Sequence, residues 1–401
     1  MMRQTYQPPS TAEYEEPVLE AHCRRVASAA IELSKRLGWD VEQQRALREA
    51  AMDHHHFPIP AQSRLLTRLV GEMWGYSPLD DTPNSDAFNQ AGALELCCLF
   101  VQRWEFAPYE FTTWSDIVTE LRALAADGFF DSTHVEALAV VPSVRLEDIR
   151  SIVSKLPVFP AIALKAIKIA QNPMASVAMI EDTVGADPVL AGEVIRAANS
   201  PLYSPALKIQ SIRQAALFMG LPDCCRLLAA AALRPMFQSP LVRPLWNHSM
   251  EVARLAEALA RDSAKAAPDE AFLCGLIHDV GRLALWKLPA RLTQQYTTLL
   301  QNGCEPMFAE TILAGFDHTV AGREVAKRWA LPDALAHAVE FHHQPEQSDE
   351  ILPSILYLAE HCSGSAEDLP SAARFQIALD RIGISRHKIN SLPAFAAHGQ
   401  W

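Results

Sequence analysis

The feature that most constrains the fold of this chain is its hydrophobic spacing, which is helical almost throughout. In "VLEAHCRRVASAAIELSKRLGWD", residues 18–40, apolar side chains recur every three or four positions, as on the buried face of an amphipathic helix. The alternating patterns that are typical of strands are nearly absent. The spacing therefore predicts an all-α protein.

A chain of 401 residues is longer than one hydrophobic core usually serves, so more than one domain is expected. The stretch "VPSVRLEDIR", residues 141–150, is interpreted as the linker between two helical domains. Short helices follow it, and longer ones begin near residue 245. The predicted organisation is a disordered N-terminus at 1–16, a helical domain at 17–145, a second domain at 146–350 made of a short-helix lobe (146–240) and a helical bundle (241–350), and C-terminal helices with a tail at 351–401. In the last third, helices are predicted at 245–262, 269–278, 289–302, 305–315, 318–330, 332–343 and 352–362.

Net charge, apolar runs and cysteine spacing indicate which classes of protein are unlikely for this chain. The formal net charge of −12 argues against general nucleic-acid binding, because phosphate contacts need a basic face. No run approaches the length of a membrane span, and the first residues lack the apolar core of a signal peptide. The eight cysteines show no CxxC spacing and lie mostly in apolar runs, which is typical of buried thiols in a reducing compartment. We therefore expect a cytoplasmic protein.

Polar side chains of the types that bind metals interrupt apolar helix faces between residues 248 and 360. Imidazole and carboxylate groups from separate helices can converge in a bundle and suit Fe, Mn or Zn. A lone histidine on such a face is more often a satisfied core residue, and a polar network without metal would explain the whole set equally well. The candidate metal ligands are His248, His278, Asp279, His318, His342, His343 and Glu360.

Residues from about 150 to 345 resemble an HDOD domain, a bacterial signalling relative of the HD phosphohydrolase superfamily. The resemblance lies in "LPVFPAIALKAIKIAQNP", "DPVLAGEVIRAANSPLYS", "LWNHSMEVARLAEALA", "EAFLCGLIHDVGRLAL", "GFDHTVAGREVAKRWALP" and "FHHQPE", which follow the family's order and spacing. It implies an all-α domain with an N-terminal lobe joined to an HD-like bundle. It also implies a regulatory role, because such domains are generally regarded as signalling modules without demonstrated hydrolytic activity.

The same resemblance gives the histidines their expected roles. His248 matches the first histidine of the HD pattern, and the pair His278 and Asp279 matches the HD dipeptide itself. His318, His342 and His343 match the further histidines of metal-binding HD-GYP phosphodiesterases. Two features depart from those enzymes. Arg282 replaces the usual lysine, and the GYP segment after the paired histidines is missing. Glu360 stands roughly where HD enzymes have a closing aspartate.

A degraded copy of the HD pattern is predicted at the N-terminus. The segment around His22 resembles the first HD helix, and "LREAAMDHHHFPIP" resembles the segment that normally holds the HD pair. In that register His54 takes the histidine position and His55 replaces the aspartate. The residues Asp53–His56 point in four directions on a helix, so an exposed or capping cluster is favoured over a metal site. We expect this domain to recognise a partner or to dimerise.

Three functions remain open from the sequence. We favour a non-catalytic regulatory module that acts through contacts with other signalling proteins, in cyclic-dinucleotide or two-component pathways. The first alternative is a metal-dependent phosphodiesterase or phosphohydrolase, in which Asp279 and Arg282 are the catalytic candidates. The second is a nucleotide sensor without hydrolysis. A divalent cation (Fe, Mn or Zn) is the cofactor expected if the ligand set is used, and a homodimer is compatible with each function.

Overall fold

The computed structural model describes residues 16–53, 85–106, 113–139, 146–185, 187–201, 203–238, 242–363 and 372–390. Within these ranges the chain is helical and has no strand, as the hydrophobic spacing predicts. None of the described helices is long and apolar enough to cross a membrane. The helices are α1 (Glu16–Arg36), α2 (Val41–Asp53), α3 (Ser85–Phe106), α4 (Thr113–Ala126), α5 (Ser132–Ala139), α6 (Leu146–Ser154), α7 (Ala161–Ala170), α8 (Val177–Val184), α9 (Pro188–Ala198), α10 (Ile212–Met219), α11 (Leu221–Leu233), α12 (Arg243–Ser263), α13 (Pro268–Ile277), α14 (Arg282–Leu285), α15 (Ala290–Gln301), α16 (Pro306–Ala314), α17 (His318–Arg328), α18 (Asp333–Phe341), α19 (Ile351–Cys362), α20 (Ala372–Ile382) and α21 (Arg386–Asn390). Short 3-10 turns lie at Arg234–Phe237 and Pro345–Gln347.

The chain divides into two compact units that are not simple halves of the sequence. The first unit combines helices α1–α5 with α15 and α16, so a segment from the last third of the chain joins the N-terminal helices. The second unit contains α7–α14 and α17–α21. By residue, the first unit is Met1–Glu147, Leu288–Asp317 and Glu367–Leu369, and the second is Asp148–Lys287, His318–Ala366 and Pro370–Trp401.

The core of the first unit shows how α16 joins it. The ring of Phe308, on α16, lies 6.0 Å from that of Phe100 and 5.1 Å from that of Trp104, both on α3. Leu33 and Leu47, on α1 and α2, are fully buried in the same cluster. Apolar side chains from both parts of the sequence are therefore buried in one hydrophobic core, and this burial stabilises the unit.

A buried ionic cluster lies beside this core. His22 Nδ1 lies 2.8 Å from a carboxylate oxygen of Glu105, and Arg25 donates to Glu105 at 2.7 Å and to Glu305 at 2.6 Å. Burial alone would raise the pKa of Glu105, but His22 and Arg25 bring it below its usual value. His22 is thus held by a carboxylate. The partner residues of the predicted HD copy, His54–His56, lie outside the described residues, and the copy itself stays a prediction.

In the second unit we call helices α7–α11 the lobe, and helices α12–α14 and α17–α21 the bundle. Arg226, on α11, is buried where the lobe meets the bundle. It donates to Asp269 on α13 and to Asp223 on its own helix, and its Nη2 lies 3.1 Å from Glu257 on α12. One guanidinium therefore ties the lobe to both helices on which the candidate site is built.

Candidate metal centre

The first two elements of the site are α12 and α13, which approach each other closely. A Cβ on Gly275 would lie 2.4 Å from the Cα of Ala253, so only glycine permits this spacing. The helices bring His248, on α12, next to His278, which directly follows α13. Their Nε2 atoms are 3.2 Å apart.

The third element is α17, which begins at His318. A Cβ on Gly281 would lie 1.9 Å from the carbonyl oxygen of His318 and 2.5 Å from the nitrogen of Gly322. Two backbones therefore touch at this point, and the contact sets Asp279, two residues before Gly281, against the first residue of α17. The Oδ1 atom of Asp279 lies 3.1 Å from His318 Nε2.

The paired histidines enter from the end of α18. His318 Nε2 lies 3.3 Å from Nε2 of His342 and 3.0 Å from Nε2 of His343. All three rings are buried. Two nitrogen ligands bound about 2.1 Å from one ion in a tetrahedral arrangement are roughly 3.4 Å apart, so the observed spacing would allow one ion, and it also allows hydrogen bonds between the rings.

Backbone carbonyls determine the proton positions of two rings. Nδ1 of His278 lies 2.8 Å from the carbonyl oxygen of Gly275, and Nδ1 of His342 lies 2.8 Å from that of Val339. A carbonyl oxygen can only accept, so each Nδ1 is the donor and each Nε2 of a neutral ring has a lone pair directed into the centre. Such hydrogen bonds behind the ring are usual for histidines that bind metals.

Asp279 lies between the histidines and presents a different oxygen to each side. Its Oδ1 faces His318 and also lies 3.8 Å from His342 Nε2. Its Oδ2 lies 3.5 Å from His278 Nε2 and 3.8 Å from His248 Nε2. Neither oxygen accepts a hydrogen bond, although the side chain is almost fully buried.

The electrostatics of the centre keep these groups in the forms that bind metal. Burial lowers the pKa of His278 to about 3 and that of His342 well below its ordinary value, so both rings are neutral at pH 7. Burial alone would raise the pKa of Asp279. The guanidinium of Arg282, 3.4 Å from Oδ2, and the neighbouring histidines hold that pKa well below its usual range. Asp279 is therefore an anion.

Glu360 reaches the centre from α19. Its side chain is buried, and its Oε2 lies 3.7 Å from Nδ1 of His343. This position allows two roles. The carboxylate can bind a cation together with His248 and His278, or it can orient the ring of His343 from behind.

The seven residues predicted from the sequence converge as two groups. Within each group, one potential ligand atom per residue lies within 4.8 Å of every other. The four-residue group is fully buried, whereas the three-residue group includes His248, whose side chain is 13% exposed. The four-residue group is Asp279, His318, His342 and His343, and the three-residue group is His248, His278 and Glu360. Metal binding by these residues stays a prediction.

The donor set fits a divalent transition-metal ion. Within the centre the lone pairs of His278 and His342 face the two anionic oxygens of Asp279 across 3.5 and 3.8 Å. These are four acceptors that face one another, an arrangement that a cation between them would stabilise, while Nε2 of His248 and Nε2 of His318 also lie within hydrogen-bond distance of the two rings. Imidazole nitrogen with carboxylate oxygen suits Fe, Mn or Zn.

One residue that positions the site could not be recognised from the sequence. Arg381, on α20, donates to the carbonyl oxygens of Pro345 and Ser348 and, at 3.3 Å, to that of Glu346. It thereby holds the loop that follows His343. An arginine in an amphipathic C-terminal helix gives no signal of this role, because its partners are backbone atoms.

Comparison with known proteins agrees with this architecture. The family model of the HDOD domain matches residues 156–345. The crystal structure of an HDOD domain protein of unknown function from Geobacter sulfurreducens is 26% identical, covers 63% of this chain and 88% of its own, and has a TM-score of 0.51. A structure from Marinobacter aquaeolei VT8, provisionally described as a signal transduction protein, is 19% identical, covers 89% of this chain and 83% of its own, and has a TM-score of 0.54.

A curated relative adds no function. It is an uncharacterized protein of Treponema pallidum (strain Nichols), 25% identical over 232 residues, or 57% of this chain. The match spans 44% of that relative's length. Glu360 lies outside the segment matched by the family model, and the other six candidate ligands lie inside it. The matching model, the helical architecture and the similar solved structure together show that residues 156–345 are an HDOD domain.

Proposed function

We propose that the HDOD domain of this chain binds two divalent cations and that the protein is a metal-dependent regulatory module, which signals through contacts with other proteins. The observation that carries the metal part is the set of facing acceptors around Asp279. His278 and His342 each donate a hydrogen bond from Nδ1–H to a backbone carbonyl, so Nε2 of each neutral ring has no proton to donate to the aspartate. Cations between these groups would neutralise Asp279 and use both lone pairs.

The number of ligands supports two ions rather than one. The four-residue group alone has as many ligands as a tetrahedral structural zinc site. The three residues of the other group are then left for a second ion. Asp279 can serve both groups because its two oxygens face opposite sides. A shared carboxylate is a common feature of centres in which two ions lie a few ångströms apart.

The regulatory part of the proposal rests on the family and on two residues. HDOD domains, the family whose model matches this chain, are generally regarded as signalling modules, and the Marinobacter aquaeolei protein of similar fold is provisionally described as a signal transduction protein. Arg282 replaces the lysine of the HD-GYP enzymes and forms an ion pair with Asp279. We propose three kinds of partner: other signalling proteins, a nucleotide ligand and a second copy of this chain.

A second candidate is phosphoester hydrolysis, and one observation favours it. His248 is the one partly exposed member of the two ligand groups, so the centre has an edge that a substrate could approach. A divalent ion supplies Lewis acidity toward a phosphoryl oxygen. In that case Arg282 would bind the phosphate and Asp279 would hold the cations in place.

Metal analysis combined with an activity assay tests both candidates. The full chain would be purified without chelators or a histidine tag, analysed by inductively coupled plasma mass spectrometry, and assayed with bis-p-nitrophenyl phosphate in Mn²⁺ or Fe²⁺. Asp279→Asn removes the shared charge at constant shape, and Asp182→Asn, an exposed position on α8, is the matched control. Bound metal without turnover supports the regulatory module. Turnover that Asp279→Asn abolishes and Asp182→Asn retains supports the enzyme, and absence of metal overturns both.

A further inference from the structure

We propose that the two cation sites are unequal: the four-residue group retains its ion, whereas the three-residue group binds an exchangeable ion whose affinity is held down by Arg282. This inference rests on the proposed two-cation centre and adds its regulation. The three-residue group would then be the part of the centre whose occupancy follows the free concentration of the metal.

Ligand number and burial are the first argument. Four buried protein ligands complete a tetrahedral site and leave no position for water, as in structural zinc sites. Three ligands leave coordination positions open, and the oxygen of Asp279 that could add a fourth ligand is paired with Arg282. The only ligand side chain more than 3% exposed is His248, and it belongs to the smaller group. An ion there has both fewer bonds to break and a path to solvent.

The position of Arg282 is the second argument. Its Nη1 lies 3.4 Å from Oδ2 of Asp279, and Oδ2 is the oxygen that faces His278 and the three-residue group. The side chain is about 10% exposed, and a guanidinium stays protonated at any ordinary pH. A fixed positive charge thus neutralises the oxygen that a second cation would share, and it repels that cation.

Local geometry keeps the guanidinium at this oxygen. Arg282 is the first residue of α14, and its backbone nitrogen donates to the carbonyl oxygen of Asp279 at 3.0 Å. The one-turn spacing places both side chains on the same side of the turn. Gly281, between them, is pressed against the backbone of His318, which fixes the turn.

The experiment is a Zn²⁺ titration of the metal-free full chain by isothermal titration calorimetry, with metal analysis after exhaustive dialysis, because Zn²⁺ prefers the tetrahedral coordination that four ligands complete. For the native chain we expect one equivalent to survive dialysis and a second to bind at least about tenfold more weakly. His248→Ala should remove the weak step alone, whereas His342→Ala should remove the retained equivalent.

Two substitutions of Arg282 test whether its positive charge lowers the affinity of the weaker site. Arg282→Gln should tighten the weak step about tenfold or more, and Arg282→Lys, which keeps the charge, should leave it within about threefold of the native value. Circular dichroism of each variant verifies folding, and the two histidine variants decide the question if Arg282→Gln does not fold. Two equal steps, loss of both ions in His248→Ala, or weaker binding in Arg282→Gln would overturn this inference while leaving the two-cation centre intact. Binding of no ion at all would instead overturn the proposed function.

Discussion

Asp279 and His318 lie on different elements, yet a carboxylate oxygen of one is 3.1 Å from Nε2 of the other. The contact depends on Gly281, where the chain touches the backbone of His318 with no room for a side chain. The candidate centre is therefore built on a backbone contact as well as on its ligands.

Substitution of Gly281 tests that dependence. A Cβ at this position would lie 1.9 Å from a carbonyl oxygen, so Gly281→Ala must push α17 away. Overpacking of this kind costs about 1–3 kcal/mol, and we expect the urea midpoint of unfolding to fall together with the amount of bound metal. The matched control is Gly192→Ala in α9, where a Cβ would meet nothing within 4 Å. That change should stabilise the helix by roughly 0.5–1 kcal/mol, and an equal response of the two variants would contradict the prediction.

Removal of the metal should lower thermal stability. A cation that binds only the folded chain stabilises it by mass action, about 2.7 kcal/mol when its concentration is a hundred times its dissociation constant. We therefore expect EDTA to lower the Tm of the native chain, as measured by differential scanning calorimetry. In Asp279→Asn, EDTA should have little effect, because the shared carboxylate is gone. An equal shift in both proteins would mean that the chelator acts elsewhere.

Arg226 should contribute more to stability than its surface counterparts. Its guanidinium is buried among Asp223, Glu257 and Asp269, and Arg226→Leu would remove the cation that these carboxylates share, although Glu257 also pairs with Arg261. Breaking a buried pair costs about 3–5 kcal/mol, and because Asp223 is partly exposed we expect a smaller loss, about 2–3 kcal/mol by urea unfolding. Arg213→Leu removes the exposed pair with Glu181 and should cost about 1 kcal/mol or less. Equal losses would show that the burial of Arg226 has no energetic consequence.

Acid should weaken the first unit through Glu105. Its pKa in the folded chain is below the ordinary value because His22 and Arg25 outweigh the effect of burial. A carboxylate with a depressed pKa contributes stability that is fully present above its unfolded pKa, about 4.3, and that is lost as the pH falls through the folded value. The difference in unfolding free energy between the native chain and Glu105→Gln should thus be largest near pH 6 and shrink below about pH 4. A difference that grows on acidification would contradict the assigned direction.

Several features could be predicted from the sequence because they depend on neighbouring residues. Helical spacing predicts the fold class, and the helices predicted at 245–262 and 352–362 match α12 and α19 to within two residues. The seven candidate ligands could be named as polar interruptions of apolar faces. Their chemistry, together with the HDOD-like order of motifs, was sufficient to suggest a metal.

Other features depend on distances between remote helices, which periodicity does not contain. The spacing of 289–315 predicts helices but not that α15 and α16 enter the core of the first unit. The sequence also does not predict that Arg381 holds the loop after His343, or that Arg282 lies beside one particular oxygen of Asp279. Each of these features depends on a contact distance of a few ångströms.

The sequence by itself determined which segments are helical and which side chains could bind a metal, because both depend on residue type and on spacing along one helix. Only the tertiary structure decided that these side chains form two groups around Asp279, with Arg282 on one side. Close packing at glycines brings distant backbones together, and that packing determines which atoms meet.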